Sequence, residues 1–183
     1  GGTSSATVTV TVEPVNDAPV ASDDAIIAQE DVLLENINVL INDVDADGDP
    51  LTISSATSQQ GGTVSINPDG TLNYQAPANF SGEDTITYSV TDAAGGTSSA
   101  TVTVTVEPVN DAPVASDDAI IAQEDVLLES IDVLGNDNDV DGEALSVIEA
   151  ASEQGGTVSI NPDGTLNYQA PANFSGEDTI TYS

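Results

Sequence analysis

The stretch Ala100-Thr-Val-Thr-Val-Thr-Val106 decides the fold, because valine and threonine alternate along it with a period of two. The same residues occur at Ala6–Val12, and Thr85–Val90 alternates in the same way with Ile, Tyr and Val. Successive side chains of a β-strand point to opposite faces, so each of these segments has one apolar face. The pattern predicts β-strands with one buried and one exposed face.

Further strand signals lie before and between these segments, separated by turn residues. Pro68-Asp69-Gly70 supplies the turn of a predicted hairpin. Leu33, Ile37 and Leu40 have helical spacing, but the Asn and β-branched residues around them favour a strand with a helical turn. The predicted strands cover residues 25–29, 30–40, 51–57, 61–66, 71–76, 85–90 and 100–106. Seven strands with a turn signal about every 8–12 residues are typical of an all-β, immunoglobulin-like (Ig-like) sandwich.

The chain contains an internal repeat. Gly1–Glu35 recurs unchanged as Gly95–Glu129, and Gly61–Ser89 recurs as Gly155–Ser183, so the period is 94 residues. A unit of this length is a whole domain rather than one turn of a solenoid. We therefore expect tandem domains. Residues 1–13 would be the last strand of a preceding or neighbouring repeat, 14–107 a complete repeat, and 108–183 a second repeat without its last strand.

The composition excludes several functions. The 183 residues include 32 Asp and Glu but no Lys, Arg, His or Cys, which gives a formal net charge of −32. Histidine acid–base catalysis, lysine Schiff bases, thiolate nucleophiles and disulfides are therefore excluded. Such a chain repels nucleic acid and anionic membranes, and no apolar run reaches the roughly 20 residues that cross a bilayer. We expect no nucleic-acid binding and no membrane insertion, and a partner with positive charge, most simply a divalent cation.

Several motifs together resemble a known family. They are VNDAPVASDD (15–24), QEDVLL (29–34), VLINDVDADGDPLTI (39–53), GGTVSINPDGTLNY (61–74), NFSGEDTITYSVTD (79–92) and TVTVTVEPVNDAP (101–113). In this order they resemble the cadherin-like tandem repeats of bacterial surface proteins, with the VCBS-type and bacterial Ig-like repeats of giant secreted adhesins as relatives. The resemblance implies calcium-dependent (Ca2+), seven-stranded Greek-key β-sandwiches joined end to end in an extracellular stalk or fibre. It does not identify what the tip of that stalk binds.

Strand order predicts where calcium would bind between two repeats. Calcium takes about six to eight oxygen ligands, and the acids near one end of the first repeat, the linker and an Asp-rich loop of the second offer them. The expected ligands at this junction are Glu30, Asp31, Glu83, Asp84, Glu107, Asn110, Asp111, Asp137, Asp139 and Asp141. Cadherins resemble this layout at Glu30, Glu83, Asn110, Asp111, Asp137 and Asp139. The segment SGED (81–84) departs from their longer acidic motif.

The same reasoning nominates acids at the other end of the first repeat. These residues are Glu13, Asn16, Asp17, Asp43, Asp45, Asp47 and Asp92. The loop from Asp43 to Asp49 begins like an EF-hand, but position twelve is Ser54 and no helices flank it, so an EF-hand is rejected and a local calcium loop stays open. The alternative is a solvated acidic face, which charge runs usually form. Paired carboxylates could also be catalytic, but the six aromatic residues mostly occupy predicted core positions and provide no sugar cleft.

The first and last residues raise a second question about partners. Gly1–Glu13 has the sequence of a last strand, and the second repeat lacks that strand. One account is a window on a continuous covalent array. The other is strand addition, in which Gly1–Glu13 of one copy completes the second repeat of another. Both accounts predict copies of the chain associated head to tail in a filament.

The sequence therefore predicts a non-enzymatic, structural repeat of a calcium-rigidified stalk or filament, secreted to the exterior or the bacterial cell surface and supporting adhesion or biofilm. The alternative is a ligand-binding adhesive module that recognises sugar or protein through the variable window 36–59. A third hypothesis is a disordered acidic ion buffer, because high net charge with few aromatic residues accompanies disorder. That hypothesis predicts no β structure even with calcium.

Overall fold

All regular secondary structure in the computed structural model, which describes residues 1–183, is β-strand. The chain divides into two compact units, Gly1–Val109 (unit 1) and Asn110–Ser183 (unit 2). No helix is both long enough and apolar enough to cross a membrane. The prediction of an all-β fold is confirmed.

Unit 1 contains the seven predicted strands. They are β1 (Asp24–Gln29), β2 (Leu34–Ile37), β3 (Thr52–Ser58), β4 (Thr63–Ile66), β5 (Leu72–Gln75), β6 (Gly82–Thr91) and β7 (Thr97–Glu107). The ambiguous stretch 30–40 forms strand β2 rather than a helix. A shift of register between Leu34 and Ile37 accompanies a positive φ of 59° at Asn36, and the irregularity explains why the apolar spacing there departs from two.

The strands of unit 1 form two sheets, in the orders β1-β7-β6-β3 and β2-β5-β4. The chain changes sheet between β1 and β2, between β2 and β3, between β3 and β4, and between β5 and β6, which is the connectivity of an Ig-like Greek-key sandwich. β7 pairs in parallel with β1 and antiparallel with β6. The alternation of valine and threonine places Val102, Val104 and Val106 on one face of β7. All three are fully or nearly fully buried in this central strand.

The core of unit 1 lies between the two sheets. Both central tyrosines, Tyr74 and Tyr88, are fully buried, as predicted for core aromatics. The other buried apolar residues are Ala28, Ile37, Val39, Ile53, Leu72, Ala76, Ile86, Val90, Ala100, Val102, Val104 and Val106.

Unit 2 contains five strands in two separate sheets. They are β8 (Leu128–Ile131), β9 (Ala150–Ser152), β10 (Thr157–Ile160), β11 (Leu166–Gln169) and β12 (Ile180–Tyr182), in the sheet orders β10-β11-β8 and β12-β9. Its buried core is Ile131, Val133, Val147, Leu166 and Tyr168. Residues 118–123, which repeat the sequence of β1, form no strand, and residues 1–13 of unit 1 belong to no strand and are exposed.

Candidate metal centre

A short bridge positions the Asp-rich loop of unit 1. The Val20 amide donates to the Val44 carbonyl over 2.8 Å, and the Val44 amide donates back to the Val20 carbonyl over 3.1 Å. This antiparallel bridge holds the segment that precedes β1 beside the loop after β2. Acids that are distant in sequence are thereby brought together at one end of the unit.

Asp45 organises the Asp-rich loop. Its Oδ1 atom accepts hydrogen bonds from the backbone amides of Asp47 (2.9 Å) and Asp49 (3.1 Å). Gly48, with a φ of 78°, lets the chain turn tightly enough for its amide to reach the Asp45 carbonyl over 3.3 Å. The second oxygen, Oδ2, is buried and accepts no hydrogen bond. A buried carboxylate oxygen without a donor is unfavourable, which makes Oδ2 a candidate metal ligand.

Two further contacts join the entry segment to this loop. The Asp17 amide donates to Asp47 Oδ2 over 2.7 Å, and Asn16 Nδ2 donates to Asp92 Oδ2 over 3.0 Å. Asp92 is 6% exposed. Its Oδ1 atom accepts from the amides of Ala94 (2.9 Å) and Gly96 (2.7 Å) in the turn between β6 and β7.

The hydrogen bonds have an electrostatic consequence for Asp92. The bond from the Asn16 side chain lowers the pKa of its carboxyl below the ordinary value, against the effect of burial, and bonds from backbone amides lower it further. Asp92 is therefore ionised at neutral pH. We call the group Asn16, Asp17, Asp45, Asp47 and Asp92 the Asp-rich end of unit 1.

The same contacts recur in unit 2. The Asp111 amide donates to Asp141 Oδ2 over 2.7 Å, and the Asp141 amide donates to Asp139 Oδ1 over 2.9 Å. A backbone bridge between Val114 and Asn138 replaces the one between Val20 and Val44. Three of the loop residues differ between the repeats, yet Asp111, Asp139 and Asp141 keep the contacts that Asp17, Asp45 and Asp47 make in unit 1. The geometry therefore follows from the Asp and Gly residues that the two loops share.

Asp43 and Asp137 belong to the core network rather than to the surface of these loops. Asp43 Oδ1 accepts from the Ser22 amide (2.8 Å) and from the Tyr88 hydroxyl (3.2 Å). Asp24 Oδ2 and the Val39 carbonyl also lie 3.2 Å from the Tyr88 hydroxyl as alternative acceptors, so three segments of the chain converge on it. Burial raises the pKa of Tyr88, and the negative charges of Asp43 and Asp24 raise it further. Asp43 therefore has a structural partner whether or not it also contacts a metal.

Asp84 has a structural role in unit 1. It is 1% exposed. Its oxygens accept hydrogen bonds from the Tyr74 hydroxyl (2.8 Å), the Ser58 hydroxyl (2.5 Å), and the amides of Gln59, Gln60 and Thr85. These five donors surround the carboxylate, so Asp84 anchors the connection between β3 and β4, and its role as a calcium ligand stays a prediction.

The remaining predicted ligands of unit 1 lie near its opposite end or on its surface. Glu30 is 2% exposed, and its Oε1 atom accepts from the Val109 amide over 2.6 Å. Asp31, with a φ of 57°, accepts from the Asn79 amide over 3.2 Å. Glu13, Glu83 and Glu107 are exposed. In unit 2, Asn110 donates to the Asp111 carbonyl over 2.9 Å.

Sequence reasoning missed the roles of Asp23 and Asp24. Asp23 Oδ1 accepts from the amide (2.8 Å) and hydroxyl (2.9 Å) of Thr101 and so holds β7 beside β1. Asp24 accepts from the Tyr88 hydroxyl over 3.2 Å. One signal was available: a tyrosine at the buried face of a strand requires a partner for its hydroxyl.

Comparisons with known proteins agree with the fold. The family model described as the bacterial Ig domain matches residues 16–105 and again residues 110–183. No curated protein matches the chain. The prediction of an Ig-like repeat is therefore confirmed by the family model, which matches each repeat separately.

Several solved structures also resemble the chain. A nucleoside hydrolase-related hypothetical protein from Saccharophagus degradans is 21% identical, with 50% of this chain and 26% of that chain covered and a TM-score of 0.39. An endo-fucoidan hydrolase of glycoside hydrolase family 107 is 19% identical, with 94% and 29% covered and a TM-score of 0.44. The human desmocollin-1 ectodomain is 14% identical, with 92% and 36% covered and a TM-score of 0.44. The chain thus spans about a quarter to a third of the length of these structures.

Proposed function

Because the chain belongs to the bacterial Ig domain family, we propose that it is a structural segment of an extracellular stalk or filament that calcium stabilises and that supports surface adhesion or biofilm. Bacterial Ig domains are typically surface-exposed and are in general not enzymes. The near-identity of the two repeats supports a structural role, since their differences are confined to residues 36–59. A repeated spacer needs the same shape in every copy.

The observation that carries the proposal is the arrangement of oxygens at the Asp-rich end of unit 1. Three segments of the chain contribute acids that are linked by hydrogen bonds of 2.7–3.0 Å. One of their oxygens, Asp45 Oδ2, is buried without a hydrogen-bond donor. Calcium binds carboxylate and amide oxygens, about six to eight at a time, and it tolerates irregular geometry. The residues present fit that ion.

The charge of the chain supports the same conclusion. Like charges held a few ångströms apart repel one another, and a partly buried position weakens the screening by water. The chain has no Lys, Arg or His side chain that could offset this repulsion. A divalent cation would supply the missing positive charge, with Asp17, Asp45, Asp47 and Asp92 as carboxylate ligands and Asn16 as an amide ligand.

Calcium at this position would also order the segment that enters each unit. In unit 2 the entering residue Asp111 already contacts the Asp-rich loop through the bond from its amide to Asp141 Oδ2. An ion held by the loop and by the entering segment would fix the direction in which the linker joins its own unit. This ordering is the physical basis of the proposed rigidity.

Calcium titration of thermal stability tests the proposal. We expect calcium to raise the melting temperature and a chelator to reverse the change. At a calcium concentration about 100-fold above Kd, one site that binds only the folded state contributes about 2.7 kcal/mol. The stabilisation of unit 1 by calcium should be smaller in the variant Asp45→Asn/Asp47→Asn. The stabilisation of unit 2 by calcium should be smaller in Asp139→Asn/Asp141→Asn.

A matched control separates binding from a general effect of charge. Asp69→Asn/Asp163→Asn also removes two negative charges, one from the hairpin turn of each unit, where these acids accept hydrogen bonds from Thr71 and Thr165. This variant should keep the full response to calcium. Melting that is indifferent to calcium, or an equal response to magnesium at the same ionic strength, contradicts the proposal.

A further inference from the structure

The first and last strands of unit 1 form a parallel pair. β1 runs beside β7 in a register of six residue pairs, from Asp24 opposite Val102 to Gln29 opposite Glu107. Because the two strands run in the same direction, the chain enters β1 at one end of the pair and leaves β7 at the other. Tension applied to the chain on both sides of unit 1 therefore pulls the two strands past each other along their length.

This direction of pulling determines how the hydrogen bonds between the strands carry a load. A force along the strands loads all bonds of the pair together, whereas a force across one end loads them one after another. Each bond is individually weak, so the resistance depends on how many bonds must break at once. On its other side β7 pairs with β6 over ten positions, so the shorter contact with β1 is the one that tension breaks first.

Side chains extend the pair beyond its register at the entry end. Asp23 Oδ1 accepts hydrogen bonds from the amide (2.8 Å) and the hydroxyl (2.9 Å) of Thr101 in β7. Two residues earlier, the Ala21 amide donates to Ser98 Oγ over 3.2 Å. The segment that leads into β1 is thereby held against β7 before the backbone pairing begins.

A buried acid extends the pair at the exit end. The Glu30 amide donates to the Glu107 carbonyl over 3.0 Å, and Glu30 Oε1 accepts from the Val109 amide over 2.6 Å. Glu30 is 2% exposed, so water hardly competes for this bond. The residue after β1 therefore holds the segment through which the chain leaves β7.

We propose that the β1–β7 pair, closed at its ends by Asp23 and Glu30, is the element by which unit 1 resists tension along the chain. Both acids are positioning residues, because each holds a segment that transmits force against the strand that must not slide. The use of this resistance rests on the proposed stalk or filament. The pair itself consists of hydrogen bonds within the chain, so it needs no calcium.

Single-molecule pulling at constant force tests the proposal, since the rate of forced unfolding is measured directly. The chain has no Cys, so two introduced cysteines define where the handles attach to the 183-residue chain. Pro14→Cys/Ala112→Cys applies force along the strands, because residue 14 precedes β1 and residue 112 follows Val109. Both positions are exposed.

A second pair of handles supplies the matched control. Pro14→Cys/Ala93→Cys applies force across the entry end, because the exposed Ala93 lies between β6 and β7, where Asn16 donates to Asp92. In a chelator and at the same force, unit 1 should unfold at least about 100-fold more slowly along the strands than across the end, since the bonds of six residue pairs must break together.

Two outcomes of this comparison overturn the proposal. One is an equal rate of unfolding in the two directions, and the other is no resistance along the strands in the chelator. Neither outcome affects the proposed function, which depends on whether calcium raises the melting temperature. The failure of one proposal can thus be distinguished from the failure of the other.

Variants at the exit end test the role of Glu30. Glu30→Ala removes the acceptor of the Val109 amide and should accelerate unfolding along the strands by at least about tenfold, but unfolding across the entry end by less than about twofold. Glu30→Gln keeps the shape and a neutral acceptor, so its effect should be smaller and confined to the same direction. Glu35→Ala removes the same charge from an exposed position of β2 and should change neither rate. Equal acceleration in both directions would show only a general loss of stability and would overturn the role of Glu30.

Discussion

Unit 1 and unit 2 have the same sequence over residues 61–89 and 155–183, yet they bury it differently. Ile86, Tyr88 and Asp84 are at most 1% exposed in unit 1, whereas Ile180, Tyr182 and Asp178 are only half-buried in unit 2. The sheet that contains them has four strands in unit 1 and two in unit 2. The same residues are therefore fully buried where β7 pairs beside them and only half-buried where it does not.

The other sheet of the sandwich is nearly the same in the two units. β2-β5-β4 of unit 1 and β8-β11-β10 of unit 2 have the same pairing and the same irregularity of register. Tyr74 is fully buried and Tyr168 is 5% exposed. This sheet is built from the hairpin of β4 and β5 (β10 and β11 in unit 2) and one further strand, and it forms in both units without a β7 neighbour. The comparison divides the sandwich into a sheet that both units form and a sheet that has four strands only where β7 pairs.

The largest effect should come from making unit 1 resemble unit 2. Val104→Asp puts a carboxylate at a fully buried position of β7, and we expect a loss of more than about 4 kcal/mol of unfolding free energy. Hydrogen exchange should show opening of β1 and β6 while β4 and β5 keep more protection. Thr105→Asp, on the exposed face of the same strand, is the control. Equal effects of the two substitutions would contradict the division.

Removing the buried carboxylate should have the next largest effect. Asp84→Ala leaves the hydroxyls of Tyr74 and Ser58 and several amides without an acceptor, and we expect a loss of about 2–4 kcal/mol. Asp178→Ala should destabilise unit 2 less, because water can reach the donors at this half-buried position. Urea unfolding followed by unit-specific amide signals measures both. A larger effect at Asp178 would refute the explanation from burial.

The contribution of Asp84 to the stability of unit 1 should depend on pH. Burial raises the pKa of the Asp84 carboxyl, but hydrogen bonds from Ser58, Gln60, Tyr74 and Thr85 outweigh it and hold the pKa below the ordinary value of 3.8. Because the folded-state pKa is lowered, the stabilisation is fully present above the unfolded-state pKa and is lost as pH falls through the folded-state pKa.

The matching variant isolates this contribution. Acidification also relieves repulsion among the other carboxylates, so the measured quantity is the difference between the parent and Asp84→Asn. Urea midpoints between pH 6 and pH 2 should show that this difference narrows below about pH 4. A difference that is constant over this range would show that the carboxylate charge is not responsible.

A smaller effect should follow from a close approach at the Asp-rich end of unit 1. A Cβ atom on Gly96 would lie 3.0 Å from the Ala18 Cα atom and against Asp92 Oδ2. We expect Gly96→Ala to destabilise unit 1 by about 1–3 kcal/mol. Gly2→Ala changes the same local sequence where nothing lies within 4 Å, and the melting of unit 1 should not change.

The smallest effect should be equal in the two units. Asp69 and Asp163 each accept hydrogen bonds from the amide (3.1 Å) and hydroxyl (2.7 Å) of the threonine two residues later. Asp69→Ala and Asp163→Ala should each lower the melting temperature of their own unit slightly and by similar amounts, because the turn belongs to the sheet that both units form. Unequal shifts would show that the missing strand also affects this sheet.

Local patterns predicted the strands well. The alternation in Thr85–Val90 and Ala100–Val106 and the turn at Pro68-Asp69-Gly70 give β6, β7 and the hairpin of β4 and β5. Two of these segments bury one face as the period of two requires. The secondary structure of residues 30–40 was harder to predict, because the irregular register around Asn36 disturbs the spacing of the apolar residues.

The candidate metal centre was only partly predictable. The sequence identifies the Asp-rich loop from Asp43 to Asp49, but only the structure shows that Asp45 accepts backbone amides within it. That Asp17 and Asp92 join this loop depends on strand connectivity, which the Ig-like pattern supplied. The internal role of Asp84 could not be read from the sequence, because an acid in a polar loop and an acid beneath a tyrosine look alike until the sheets pack.

The sequence alone determined the class of fold, the repeat and the excess of negative charge, since these depend on composition, on local periodicity and on copies of the same residues. The tertiary structure decided which of the identical residues form a core. Ile86 and Ile180 have the same neighbours in sequence, but only Ile86 lies beside β7. Burial in a sheet depends on which strands pair beside a segment, so the same segment has two environments in one protein.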